Sequence, residues 1–148
     1  MYRKHNIETE KAQRQALKQF LYRLFPKKDW IEIRPLPESQ DKRNYRLTDF
    51  YRGHEDLINN LHKIIPACKN AGHALYFGVL PRKQRGKGTK ENPCNGMIIW
   101  SDIDDKDTGG REQTWKLVDR LPLEPSAIVE SGGGVHIYYY LNISTPKE

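Results

Sequence analysis

The sequence predicts an α/β (α+β) fold built as a mixed sheet with flanking helices. Three observations carry that expectation. Apolar residues at helical spacing recur in three segments, interleaved with four or five short runs of strand character. The last two of those runs are joined by three consecutive glycines and read as a hairpin, so the sheet is mixed rather than purely parallel. The composition is polar yet globular, with 36% hydrophobic and 30% charged residues in 148. A chain of this length buries roughly two-thirds of its unfolded surface, enough for a single domain over 1–148.

The elements follow in order. Ala16, Leu17, Phe20, Leu21, Leu24 and Phe25 repeat at three and four within a helix over 8–25, with Thr9 as N-cap and Pro26 as stop. Trp30 to Leu36 reads as a strand, its end or edge placed by the prolines at 35 and 37. A polar segment runs to about Gly53, and its Tyr45, Phe50 and Tyr51 are read as packing residues. Leu57, Ile58, Leu61, Ile64 and Ile65 mark a second amphipathic helix, which Pro66 interrupts and which resumes as far as Asn70. After a turn at Ala71–His73, Ala74 to Leu80 is a buried-looking strand. A strand over 97–104, a polar turn from Asp105 to Gly110 and a helix from Arg111 to Arg120 come next. That helix has Trp115, Leu117, Val118 and Leu121 on its core side. Strands at 126–130 and 134–141 close the order.

No apolar run approaches the roughly 18 residues of a spanning helix, and no charged-then-apolar leader opens the chain. With two cysteines, Cys68 and Cys94, there is no disulfide framework, and a reducing cytoplasm is the expected compartment with no membrane partner. Those cysteines with His62 and His73 match no compact zinc knuckle. The net charge of +6 and pI near 9.3 favour an anionic partner. The charge is concentrated after the 74–80 strand, where Arg82, Lys83, Arg85, Lys87 and Lys90 form a loop loosened by Gly86 and Gly88. Such a loop either tracks a nucleic-acid backbone or is simply solvated.

Two blocks carry the chemistry. Gly96 to Asp105 is an apolar run ending in carboxylates, and alternation along a strand puts Asp102 and Asp104 on one face with Ile103 opposite. Like charges at that spacing repel unless a cation lies between them, and Mg²⁺ or Mn²⁺ suits oxygen donors. Glu130 to Leu141 contains Ser131, then Gly132, Gly133 and Gly134, then a strand with His136, Tyr138 and Tyr140 on one face. Glycine N–H groups can form an anion-binding concavity, and here a hydroxyl and an imidazole flank it. A paired-carboxylate strand end also occurs merely solvated, and a glycine turn as a plain hairpin. What distinguishes this sequence is that both occur at strand termini, one helix-length spacer apart.

With these residues in view, the chain resembles the archaeo-eukaryotic primase superfamily, most closely the primase-polymerase domains of phage, plasmid and mobile-element replication proteins. The resemblance lies in Tyr76 to Arg82, in Trp100 to Asp104 and in Pro125 to Tyr138, in that order. It implies a two-layer core with an RRM-like half, and DNA primase or polymerase activity in replication with NTPs or dNTPs and divalent metal. Asp102 and Asp104 match the family's metal-binding pair. Ser131 and His136 match its triphosphate-binding motif, and Arg82 matches a basic residue after the preceding strand. The family's third carboxylate, on a later strand, has no counterpart after His136. The resemblance therefore implies an N-terminal part of the catalytic domain, incomplete at its C-terminus, that is inactive alone or belongs to a longer protein. A helicase or helical primase domain in the same or a neighbouring chain is the expected companion.

The mechanism this implies puts a metal on Asp102 and Asp104, and the β- and γ-phosphates on Ser131, Gly132–Gly134 and His136. Template and primer DNA would lie along the basic loop, and Tyr138 would either stack on a base or pack. Two other readings stand beside it. A non-catalytic RRM-like module would bind single strands regardless of metal. A rolling-circle initiator would attack DNA with a tyrosine of the 138–140 run, but that chemistry wants two histidines on one strand and this strand has one.

Overall fold

A computed structural model describes residues 10–26, 28–37, 48–86, 91, 93, 94 and 96–141. They form a mixed α+β structure whose sheets are both antiparallel, rather than one mixed sheet. The chain divides into two compact units, Met1–Gly96 and Met97–Glu148.

The first unit comprises α1 (Glu10–Leu24), β1 (Trp30–Pro37), β2 (Asp49–Arg52), α2 (Gly53–Asn70) and β3 (His73–Phe77). The sheet runs β2-β1-β3. Alternation along β1 separates its two faces. Ile31 and Ile33 are buried on the side of Phe77, which Phe20 and Phe25 meet edge-on at ring separations of 6.0 and 6.2 Å. Leu21 and Leu24 of α1 and Leu57 and Ile58 of α2 are buried as well. Each such side chain taken from water contributes about 1.5–3 kcal/mol. Among the described residues β2 reaches only as far as Ile33, so there Pro35 and Pro37 have β3 as their one neighbouring strand, which suits residues without an N–H.

Three expectations change here. The polar segment before Gly53 contains a strand, β2, whose Phe50 is buried. The second helix runs unbroken through Pro66, at an exposed position. The strand expected to reach Leu80 stops at Phe77; beyond it the chain keeps company with β1 through single contacts, Gly78 N–H to the Glu32 carbonyl (2.8 Å) and a reciprocal pair between Arg82 and Trp30 (2.7 and 3.1 Å). Thr9, Tyr45, Lys87 and Lys90 lie outside the described residues.

The second unit comprises β4 (Ile98–Asp104), α3 (Asp105–Thr108), α4 (Arg111–Val118), β5 (Ala127–Glu130) and β6 (Gly134–Tyr140), with strand order β4-β6-β5. One sheet face is closed by α4: Val118 packs with Val135 and Ile137, joined by Ile103, Trp115, Leu121 and Tyr139. Leu117, expected in that core, is exposed because it points about 100° away from Val118 on the helix. The polar turn after Asp104 holds the single helical turn α3, closed by Gly109 in the left-handed conformation.

Candidate functional site: the carboxylate face of the second sheet

The register of β4 on β6 brings the two chemical blocks side by side. Trp100 lies opposite Tyr138, Asp102 opposite His136 and Asp104 opposite Gly134. Directly opposed residues of an antiparallel pair point to the same face, so the two carboxylates, the imidazole and the phenol share the face away from α4. His136 Nε2 stands 3.4 Å from Asp102 Oδ1, within ion-pair range, and its Nδ1 stands 3.5 Å from the Tyr138 hydroxyl, at the outer edge of hydrogen-bond range.

Tyr138 is the buried end of this row. Its side chain is 1% exposed, so its ring packs and offers no surface to a base. Burial first, then the nearby Asp102 carboxylate and Tyr140, push its pKa up to about 12. The phenol therefore keeps its proton, and whether it or His136 Nδ1 is the donor follows the imidazole tautomer. Asp102 is exposed and Asp104 half-buried. The positive charge that such a pair calls for comes from Lys106, whose ammonium lies 2.8 Å from Asp104 Oδ2. Hydrogen bonding and attraction to Asp104, then Asp107 and Asp102, raise the lysine's pKa. Its stem is exposed, so this counter-charge is easily displaced.

The glycine turn is built from three residues with three different reasons. Ser131 N–H donates to the Gly134 carbonyl (3.1 Å), leaving Gly132 and Gly133 as the two central residues. Gly132 has φ +89° and Gly133 is not left-handed, the pattern of a II′ hairpin turn. A Cβ on Gly134 would sit 2.1 Å from the Ile103 carbonyl oxygen, so β6 can approach β4 there only without a side chain. Gly133 is open to solvent with nothing within 4 Å of a Cβ. Among the described residues no partner takes the N–H of Gly132 or Gly133. Ser131 is exposed beside them.

Sequence reasoning missed Arg111. From the first turn of α4 its guanidinium donates to the Gly134 carbonyl (2.9 Å), lies 3.5 Å from Asp105 Oδ2, pairs with Glu130 and lies over Trp115. With Asp105 N–H on the Gly133 carbonyl (2.8 Å), it ties the end of β4 to both arms of the hairpin. The signal was present: a cation in a helix's first turn opposes the macrodipole and calls for a tertiary partner.

The remaining expected residues belong to the first unit. Lys83 and Arg85 are exposed, and Arg85 lies 3.7 Å from Asp49. Arg82 is engaged by Glu32, through Nε at 2.9 Å and Nη2 at 2.7 Å. No protein-family model, curated protein or solved structure matches this chain.

Asp102 and Asp104 offer hard oxygen donors suited to Mg²⁺ or Mn²⁺, and no set of three metal-binding side chains gathers among the described residues. Magnesium is commonly held by one or two carboxylates together with substrate phosphates and water, so the pair fits an ion that arrives with a nucleotide better than a permanently caged one. No helix among the described residues is long and apolar enough to cross a membrane.

Proposed function

We propose that the second unit carries the metal- and triphosphate-binding part of a nucleotidyl transferase of the primase-polymerase type. It would synthesise DNA or RNA on a DNA template from NTPs or dNTPs, and work with a helicase or helical primase domain. The single observation that carries this reading is the cross-strand pairing of Asp102 with His136, with Asp104 opposite the last residue of the glycine turn. Carboxylates for a cation and bare N–H groups for an anion then lie on neighbouring strand ends.

The chain's own residues divide the work. Asp102 and Asp104 would hold Mg²⁺ or Mn²⁺ in place of the Lys106 ammonium. The bound ion would lower the pKa of an attacking 3′-hydroxyl and neutralise the leaving pyrophosphate. Gly132 and Gly133 offer their N–H groups to the β- and γ-phosphates, and Ser131 adds a hydroxyl. His136, between Asp102 and Tyr138, would turn a ring N–H to phosphate when nucleotide enters. Two tyrosines of the 138–140 run speak against the rolling-circle reading: Tyr138 is buried, and the Tyr139 hydroxyl donates to the Leu123 carbonyl at 3.0 Å.

The test is primer extension and de novo priming by the full-length protein. Asp102→Ala and Asp104→Ala are each expected to lose at least about a hundredfold, the several kcal/mol that a metal supplies to a phosphoryl transition state. Undiminished synthesis by both variants would discard the assignment. His136→Ala should chiefly raise the KM for nucleotide; an unchanged KM with weaker template binding would mean that His136 has another role.

A further inference from the structure

We propose that the face of the first sheet bearing Trp30, Glu32, Arg34 and Tyr76 binds single-stranded nucleic acid. On β1 these alternate with the buried Ile31 and Ile33, so Trp30, Glu32 and Arg34 project from the side away from the isoleucines. Register places Arg52 opposite Trp30 and Tyr76 opposite Arg34 on that same side.

Glu32 is 2% exposed and takes both of its neighbours' guanidiniums. Arg34 binds it two-handed, Nε to Oε1 at 2.6 Å and Nη2 to Oε2 at 2.8 Å, while Arg82 holds Oε2 from the other side. One carboxylate between two guanidiniums leaves a surplus of positive charge. A pair kept only for stability would need a single arginine, and apolar residues of similar volume would serve as well. The second arginine is also not hidden: the Arg34 side chain is 41% exposed, with its plane fixed from behind by Glu32. A guanidinium oriented in this way presents its remaining N–H groups to a phosphodiester at little further entropic cost.

Aromatic rings interleave with this charge. Tyr76 is 47% exposed beside Arg34. The Trp30 ring has two guanidiniums near it, Arg52 at 5.5 Å and Arg85 at 5.7 Å from its centroid. The exposed Tyr76 ring and the half-buried Trp30, next to oriented cations, suit a strand whose bases are unstacked and whose phosphates are close by. A duplex hides its base faces and would meet only the arginines.

The inference deepens the function proposed above by giving the polynucleotide a surface, and its test reads binding alone. Anisotropy of a labelled oligodeoxythymidylate of about 16 nucleotides, titrated with the full-length protein in chelator without nucleotide, excludes any part played by the metal site. Tyr76→Ala should weaken binding at least about fivefold, with Tyr76→Phe restoring it. Arg34→Ala should weaken binding and flatten the salt dependence by about 0.7 in log–log slope, while Glu32 keeps Arg82 and the unfolding midpoint stays near the parent's. A duplex of equal length should bind more weakly. Failure of the parent chain to bind, unchanged affinity in Tyr76→Ala, or duplex binding equal to single strand would each overturn the proposal. Binding as described without nucleotide transfer would sink the enzyme reading and leave this one standing.

Discussion

Each unit sets carboxylates on a three-stranded antiparallel sheet, Glu32 on the central strand of the first and Asp102 and Asp104 on an edge strand of the second, and the two are treated in opposite ways. Glu32 is buried and gripped by two arginines. Burial alone would raise its pKa, but the hydrogen bonds and charges of Arg34 and Arg82 outweigh that and hold it below the usual carboxylate value. Asp102 is exposed, with an imidazole at 3.4 Å, and Asp104 has only a flexible lysine. A carboxylate locked between guanidiniums is part of the scaffold and positions cations. Carboxylates met only by replaceable partners remain available to a cation from solution. On the proposals made above, the same residue chemistry would give a cation-presenting face in one unit and a cation-accepting face in the other.

That contrast can be broken from either side. The largest effect expected is the loss of nucleotide incorporation in Asp102→Ala and Asp104→Ala, with thermal stability close to the parent's because both sites are solvated. A matched loss of stability would mean that these carboxylates are scaffold too. Glu32→Ala should do the reverse, costing about 3–5 kcal/mol in denaturant unfolding because it leaves two guanidiniums unpaired next to a buried position. A cost below about 1 kcal/mol would remove the distinction between the units.

Smaller effects sharpen it. Gly134→Ala should cost about 1–3 kcal/mol, since the new methyl would meet the Ile103 carbonyl at 2.1 Å. Gly133→Ala should change stability by no more than about 0.5 kcal/mol and raise the KM for nucleotide, because open space surrounds that residue. Equal stability costs at the two positions would show that the turn, rather than a ligand, needs the third glycine.

Glu32 and Tyr138 give stability pH dependences of opposite sign. Glu32 has its folded pKa lowered, so its stabilisation is complete above the ordinary value of 4.5 and is lost as pH falls through the folded value. Glu32→Gln should flatten that acid limb. Tyr138 has its folded pKa raised from 10.0 to about 12, so its contribution is present below 10 and is lost as pH rises through about 12. Tyrosinate absorbance should show two late-titrating phenols, Tyr51 and Tyr138, of which Tyr138→Phe loses one; an unchanged late phase in that variant would show that Tyr138 is not one of them.

The sequence made much of this legible where a single residue type or period decides the outcome. Helix α1 follows from apolar spacing, and β4 and β6 from β-branched runs next to carboxylates and glycines. The hairpin follows from three glycines with strand on either side. Strand β2 was hidden because only Phe50 and Tyr51 stand out in four residues at the end of a polar stretch. Register was also beyond reach: nothing in either block says that Asp102 faces His136 rather than Tyr138, since antiparallel pairing is settled by the tertiary fold. Glu32 could have been noticed as a carboxylate two residues from Arg34, on one face of a strand whose other face carries isoleucines. Arg111 and Lys106 show their roles only once the turn between β4 and α4 is closed.

The central claim is that Asp102 and Asp104 share a divalent ion delivered with a nucleotide. The direct measurement is a titration of Mn²⁺ into the full-length protein, followed by the ion's electron-spin resonance signal, with and without a non-hydrolysable nucleoside triphosphate. Binding should tighten when nucleotide is present and vanish in the Asp102→Ala, Asp104→Ala double variant, while Lys106→Ala binds Mn²⁺ at least as well as the parent. Equal Mn²⁺ binding by parent and double variant would contradict the account.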